Sequence, residues 1–455
     1  MKYNTKQTAL ILGSLLLMNT AVLAQDKPAY EMKVDGVKVI VQPVNNDIVE
    51  IQTVIKGGVQ NYPADKSGIE SLAMNALTEC GTKNDDKNSF KNKLEKVSAQ
   101  VYGTNDMEKA SLNLNCIKTD LDAVWSLYVD ALTRPLFDAK EFERIRQDAI
   151  NGLKSSESQP DNAINKYARK LAFPGKDYSK DPEGTEATVS KLTVAETKAY
   201  YQSILTKSRM VIVVVGDLDK ATIEAKVHNL LQGIPAGKAF AFKKQGPPPS
   251  KNSFSATQKE FATNYILGIG GGPQPGDPDF NAYMLAMRIF SQRHFVEVRT
   301  KNGLSYAPQA WFKAGNASYA GVSVSTKDPN KYIEVEKALV DKTKKEGFTA
   351  DEVKNVKSSY LTAFYYRQET NGAQAASIVS NEVLFNNWKR SMTIKTDLNN
   401  VSVEDVNKAF NKYMQNITWA YMGDPAKVDP KLYADDKPQS KLPPSKIKAT
   451  PQKKG

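Results

Sequence analysis

The sequence predicts an α+β protein of two homologous domains, each an antiparallel-rich sheet packed with several helices, joined by a Pro/Gly-rich linker like the halves of a clam shell. The first observation behind this is a unit stated twice. Leu192-Thr193-Val194-Ala195-Glu196 runs through Tyr200-Tyr201 to Met210-Val211-Ile212-Val213-Val214-Val215-Gly216-Asp217. Val401-Ser402-Val403-Glu404-Asp405 runs through Phe410 and Tyr413 to Ile417-Thr418-Trp419-Ala420-Tyr421-Met422-Gly423-Asp424. Each copy reads as a helix that a Thr or Ser can cap, then a buried strand, and the two closing Gly-Asp pairs stand 207 residues apart. The second observation is that Phe137-Asp138-Ala139-Lys140-Glu141 and Phe348-Thr349-Ala350-Asp351-Glu352 both open long polar helices, at an offset of 211. The third is the stretch between the copies, Ile234-Pro235-Ala236-Gly237 and Gly246-Pro247-Pro248-Pro249-Ser250, whose composition suits an extended linker.

Taken in order, the elements support that division. Val37-Lys38-Val39-Ile40-Val41-Gln42-Pro43 and Val49-Glu50-Ile51-Gln52-Thr53-Val54-Ile55 read as neighbouring strands. Ser67 to Leu77 reads as an amphipathic helix with Ile69, Leu72, Ala73, Ala76 and Leu77 on one face. Leu112 to Ile117 alternates as a half-buried strand, and Leu121 to Leu132 carries Leu121, Val124, Trp125, Tyr128 and Leu132 at core-helix spacing. Gly268-Ile269-Gly270-Gly271-Gly272-Pro273 is glycine-rich, but prolines follow where a phosphate cradle needs a helix start, so it reads as a strand end. The expected boundaries are a signal at 1–24, a first domain at 25–235, a linker at 236–254, a second domain at 255–434 and a basic tail at 435–455.

Composition narrows the compartment and the partners. Lys2 and Lys6, the apolar run from Ala9 to Met18 and Ala21-Val22-Leu23-Ala24 have the form of a secretory signal, too short for a membrane span and followed by Gln25 rather than a lipidated cysteine. The expectation is a soluble periplasmic protein. Net charge is +12, and six lysines without an acid lie between Lys437 and Lys454, so the basic excess is largely a solvated tail. No basic patch interleaved with aromatics marks a nucleic-acid binder. Cys80 and Cys116 are the only cysteines, and sequence leaves open whether they pair.

Gly57-Gly58-Val59, Ser67-Gly68-Ile69 and Gly81-Thr82 resemble the opening of the pitrilysin/insulinase zinc peptidases, in the two-domain form typified by the mitochondrial processing peptidase. Phe173-Pro174-Gly175, Gly184-Thr185-Glu186 and Glu297-Val298-Arg299 with Gly303-Leu304 and Tyr306 extend the resemblance over nearly all of the chain past residue 24. In that family the first of these helices carries His-x-x-Glu-His. Two histidines at helical spacing and a downstream Glu bind zinc, and the motif Glu activates its water. Counted from Gly68, those positions here are Ser71, Met74 and Asn75, and the downstream ligand falls near Asn151 or Gly152, with Asp148 about a turn too early. The chain's two histidines, His228 and His294, stand 66 residues apart and cannot supply the pair.

The resemblance implies that the second domain retains part of a site. Its Arg and Tyr, seven residues apart, fall on Arg299 and Tyr306, where a guanidinium can hold a peptide carbonyl or carboxylate and a phenol can donate to an oxyanion. The bland alternative is a surface helix Arg and a strand-edge aromatic. Ala99 to Gly103 matches the edge strand on which the family pairs substrate, although Tyr102 stands where an Asn is usual. The expectation is a catalytically silent subunit that binds no cofactor, with zinc on a paralogous partner in a heterodimer around a peptide substrate. A non-enzymatic peptide- or protein-binding scaffold of the cell envelope is the alternative. A second alternative, an enzyme with a different nucleophile or metal set, finds little support, because Ser71 has no nearby histidine base.

Overall fold

The computed structural model describes residues 28–243, 245 and 251–435. The expected signal at 1–24, the tail beyond Asp435 and most of the proline run of the linker lie outside the described residues. The first sheet comprises β1 (Tyr30–Val34), β2 (Val37–Gln42), β3 (Ile48–Lys56), β4 (Gln100–Asn105), β5 (Lys109–Ile117) and β6 (Met210–Val215), in the order β1-β2-β6-β3-β5-β4. The second comprises β7 (Ser253–Gln258), β8 (Asn264–Gly271), β9 (Gln309–Lys313), β10 (Tyr319–Thr326) and β11 (Thr418–Gly423), in the order β7-β11-β8-β10-β9. With β1 set aside the two orders are the same. In each sheet one pair is parallel, β2 with β6 and β7 with β11, and every other pair is antiparallel.

β2 and β3 are therefore not neighbours, contrary to the sequence reading, because β6 returns from far along the chain and inserts between them. Its six residues are all buried, as a strand covered on both faces requires. The second sheet begins with β7 at Ser253, inside the stretch read from sequence as linker. Both repeated helices carry their predicted caps: Thr193 and Ser402 each accept the third helical N–H and receive a carboxylate in return, from Glu196 and Asp405.

The halves exchange helices. Pro160–Ala172, from the first half, packs on β8 and β11 of the second sheet, burying Ile164, Ala168 and Ala172 in one core with Leu267, Ile269 and Met422. Its counterpart Asn371–Phe385 packs on β3 and β6 of the first sheet, where Ile378, Val379 and Val383 meet Ile40, Val54 and Val213. At roughly 1.5–3 kcal/mol per fully buried aliphatic side chain, either seam alone resists opening of the halves. Polar contacts fix the register of the seam: Lys38 Nζ lies 2.7 Å from the buried Glu382 Oε1, and Asn371 Nδ2 donates to Ile48 O at 2.7 Å. Cys80 and Cys116 are both free and buried, with burial pushing their thiols up to about 12 and about 11.

Candidate functional site

The helix expected to carry the metal motif spans Ile69–Glu79, two residues later than the sequence reading, because Gly68 at φ +94° cannot be its first turn. Gly68 and Gly184 let two loops cross closely: a Cβ on Gly184 would lie 2.5 Å from Ser67 O, and one on Gly68 2.8 Å from Glu183 O. That crossing sets Glu183 beside the helix, where it accepts a hydrogen bond from Ser71 Oγ at 2.7 Å. Met74 is 1% exposed and belongs to the first core. Asn75 is exposed, and its amide donates to Ser71 O one turn back at 3.0 Å. Gly152 is an exposed position of the helix Ala139–Ser158, and a Cβ there would touch nothing. Asp148 is engaged by Arg144 Nη1 at 2.9 Å.

The only carboxylate buried on the Ile69–Glu79 helix is Glu70, which sits in a polar knot. Tyr200 Oη donates to Glu70 Oε2 at 2.5 Å and Asn61 Nδ2 at 3.3 Å, while Arg209 Nη1 donates to Asn61 Oδ1 at 2.7 Å. Glu70 Oε1 has no hydrogen-bond partner among the described residues. Burial raises the carboxyl to about 7 despite the two donors. Nothing in the local sequence pattern reveals Tyr200, 130 residues away, as its partner.

In the second half the helix Phe280–Phe295 runs into a π-helical turn, Val296–Lys301, that carries Arg299. The Arg299 guanidinium lies 4.2 Å from the Tyr306 ring centroid and 5.1 Å from that of Phe295. Tyr306 is 79% exposed. The seven-residue spacing thus brings the two predicted residues together on the surface. His228 is exposed, with Nδ1 2.9 Å from Asp35 Oδ2. His294 is fully buried, with Nε2 3.1 Å from the buried Glu336 Oε2. The two histidines serve separate places.

Two family models match the chain, "Insulinase (Peptidase family M16)" over residues 38–186 and "Peptidase M16 inactive domain" over residues 191–360. The chain belongs to the M16 insulinase family, in its two-domain form. It is 20% identical over 372 residues to the non-peptidase homolog YmxG of Helicobacter pylori, covering 78% of this chain and 84% of that one. It is also 20% identical over 387 residues to an uncharacterized zinc protease YmxG of Bacillus subtilis, covering 82% and 92%. The crystal structure of a peptidase M16 inactive domain from Pseudomonas fluorescens superposes with a TM-score of 0.78 at 19% identity, over 89% of this chain and all of that one. Two more distant relatives bear on place and partners. The periplasmic protease PqqL of Escherichia coli matches with a TM-score of 0.75 at 14% identity, over 89% of this chain and 48% of that one. Human mitochondrial cytochrome b-c1 complex subunit 1 is 20% identical over 174 residues, 38% of this chain and 36% of that one. Among the described residues of the present chain, no helix is long and apolar enough to cross a membrane.

Zinc is the family's metal, and these residues do not fit it. The Ser71 hydroxyl is spent on Glu183, Met74 is packed in the core, the Asn75 amide closes its own helix turn, and Gly152 offers no donor. No group of three or more His, Cys, Asp or Glu that could hold a metal ion occurs among the described residues.

Proposed function

We propose that the chain is a catalytically silent M16 subunit that pairs with a zinc-bearing paralogue and presents Arg299 and Tyr306 to a peptide bound across the pair. The observation that carries this reading is the exposed stack itself. A cation–π contact at an exposed site is worth about 0.5–1 kcal/mol, too little for stability alone to account for a tyrosine left 79% exposed. Held 4.2 Å apart, the guanidinium forks onto a peptide carbonyl or carboxylate while the phenol donates to oxyanion charge. The amino-terminal signal pattern, together with a relative described as periplasmic, supports action in the periplasm.

The test is turnover of the reconstituted pair. Arg299→Ala and Tyr306→Phe each lower kcat/KM about tenfold to a hundredfold, the range for lost transition-state donors, with assembly of the pair unchanged by size-exclusion chromatography. Unchanged turnover in both variants removes the assigned roles. A pair that assembles without hydrolysing any peptide replaces the reading with a non-enzymatic scaffold.

A further inference from the structure

The helix Phe280–Phe295 and edge strand β9 are the second-half counterparts of the Ile69–Glu79 helix and β4, and Ala350–Tyr366 is the counterpart of Ala139–Ser158. Beside these second-half elements lies a cavity of about 830 Å³, walled also by the helices Asn371–Phe385 and Arg390–Asn399. That size falls within the usual range for small-molecule pockets, about 300–1,000 Å³. Its walls are mixed, with Met284, Met287, Phe312, Phe364, Leu384 and Ile394 supplying the apolar part.

Three arginines line this space, and only one is neutralised. Arg293 makes a two-point ion pair with Glu352, at 2.8 and 2.7 Å. Arg288 lies 4.6 Å from the Tyr360 ring centroid, and Arg390 lies 4.1 Å from that of Phe385 while donating to Asn281 Oδ1 at 2.7 Å. Neither Arg288 nor Arg390 has an ion-pair partner among the described residues. Two guanidiniums stacked on aromatic rings without a direct ion pair, Arg390 feeling only the charge of Asp397 from further off, complement a ligand with an anionic head and an apolar body.

We propose that this cavity binds a small amphipathic carboxylate, its head between Arg288 and Arg390 and its hydrocarbon body between the helices. The site is separate from Arg299 and Tyr306 and stands or falls independently of the subunit reading. Burial pushes both guanidiniums below their usual pKa, so the charge of an anion in the cavity offsets the cost of their desolvation.

Isothermal titration with sodium dodecanoate below its micellar range tests this, with dodecanol as the neutral isostere and acetate as the head alone. The expected result is one equivalent of dodecanoate bound, at least about tenfold more tightly than dodecanol, which is about 1.4 kcal/mol, and no measurable binding of acetate. Arg288→Gln/Arg390→Gln removes the preference for the acid and leaves dodecanol binding unchanged. Met284→Trp, which narrows the apolar part of the cavity with an indole, weakens both. Absence of saturable one-to-one binding, or equal affinity for acid and alcohol in the unsubstituted protein, overturns the proposal, and the second readout decides even if the double variant fails to fold.

Discussion

The two halves of this chain share a sheet order, a capped closing helix and an exchanged helix, yet the same nook is closed in one and open in the other. Sheet register locates the cause. Ile212, Thr53, Leu112 and Gly103 lie across the first sheet, as Trp419, Gly268, Val322 and Ala310 lie across the second. The glycine at 103 lets β4 lie against the helix backbone, where a Cβ would fall 2.3 Å from Met74 O. The alanine at 310 has that Cβ and lines the cavity. The two halves of a duplicated scaffold thus differ in side-chain volume at one register position while their topology stays fixed.

The sharpest way to break this comparison is to put back the acid that the family has at position 74. Met74→Glu buries a carboxylate in a filled core and lowers unfolding free energy by about 4 kcal/mol, measured by urea denaturation. A near-neutral result would mean that the first nook is as open as the second. Next in size is Glu70, whose carboxyl is held at about 7 against an ordinary value of 4.5. The folded state binds the extra proton between these values, so this contribution is fully present below about pH 4.5 and lost as pH rises through about 7. The stability difference between the unsubstituted protein and Glu70→Gln therefore shifts against the unsubstituted protein across that window, by up to about 3 kcal/mol. A flat difference contradicts the burial of Glu70. Gly103→Ala, which forces β4 off the helix, costs about 2 kcal/mol, whereas Ala310→Gly beside the open cavity costs under about 1 kcal/mol. Equal effects would remove the register explanation. Smallest is Glu352→Ala, which removes both the Arg293 pair and the carboxylate returned to the Thr349 cap, for about 1 kcal/mol in thermal unfolding.

Much of this was legible because it is local. Caps at Thr193 and Ser402, the all-buried closing strands and the strand end at Gly271 follow from residues within a turn of one another. The loss of the metal motif was legible for the same reason, since His-x-x-Glu-His is a five-residue pattern. The insertion of β6 between β2 and β3 was not, because strand order depends on which apolar faces meet after long connections. The helix exchange was equally hidden: nothing in Pro160–Ala172 distinguishes a helix that covers its own sheet from one that covers its neighbour's. The contact of Arg299 with Tyr306 was foreshadowed by their spacing, while Arg288 and Arg390 come from helices about a hundred residues apart and line one cavity only through tertiary packing.

The central claim is that this M16 chain has lost its own metal chemistry and works through a partner. Metal analysis and peptide hydrolysis by the purified chain, alone and mixed with a zinc-bearing paralogue, test that most directly. The account predicts no bound zinc and no turnover for the chain alone, with turnover in the mixture above that of the paralogue by itself. One equivalent of zinc together with hydrolysis by the isolated chain would contradict it.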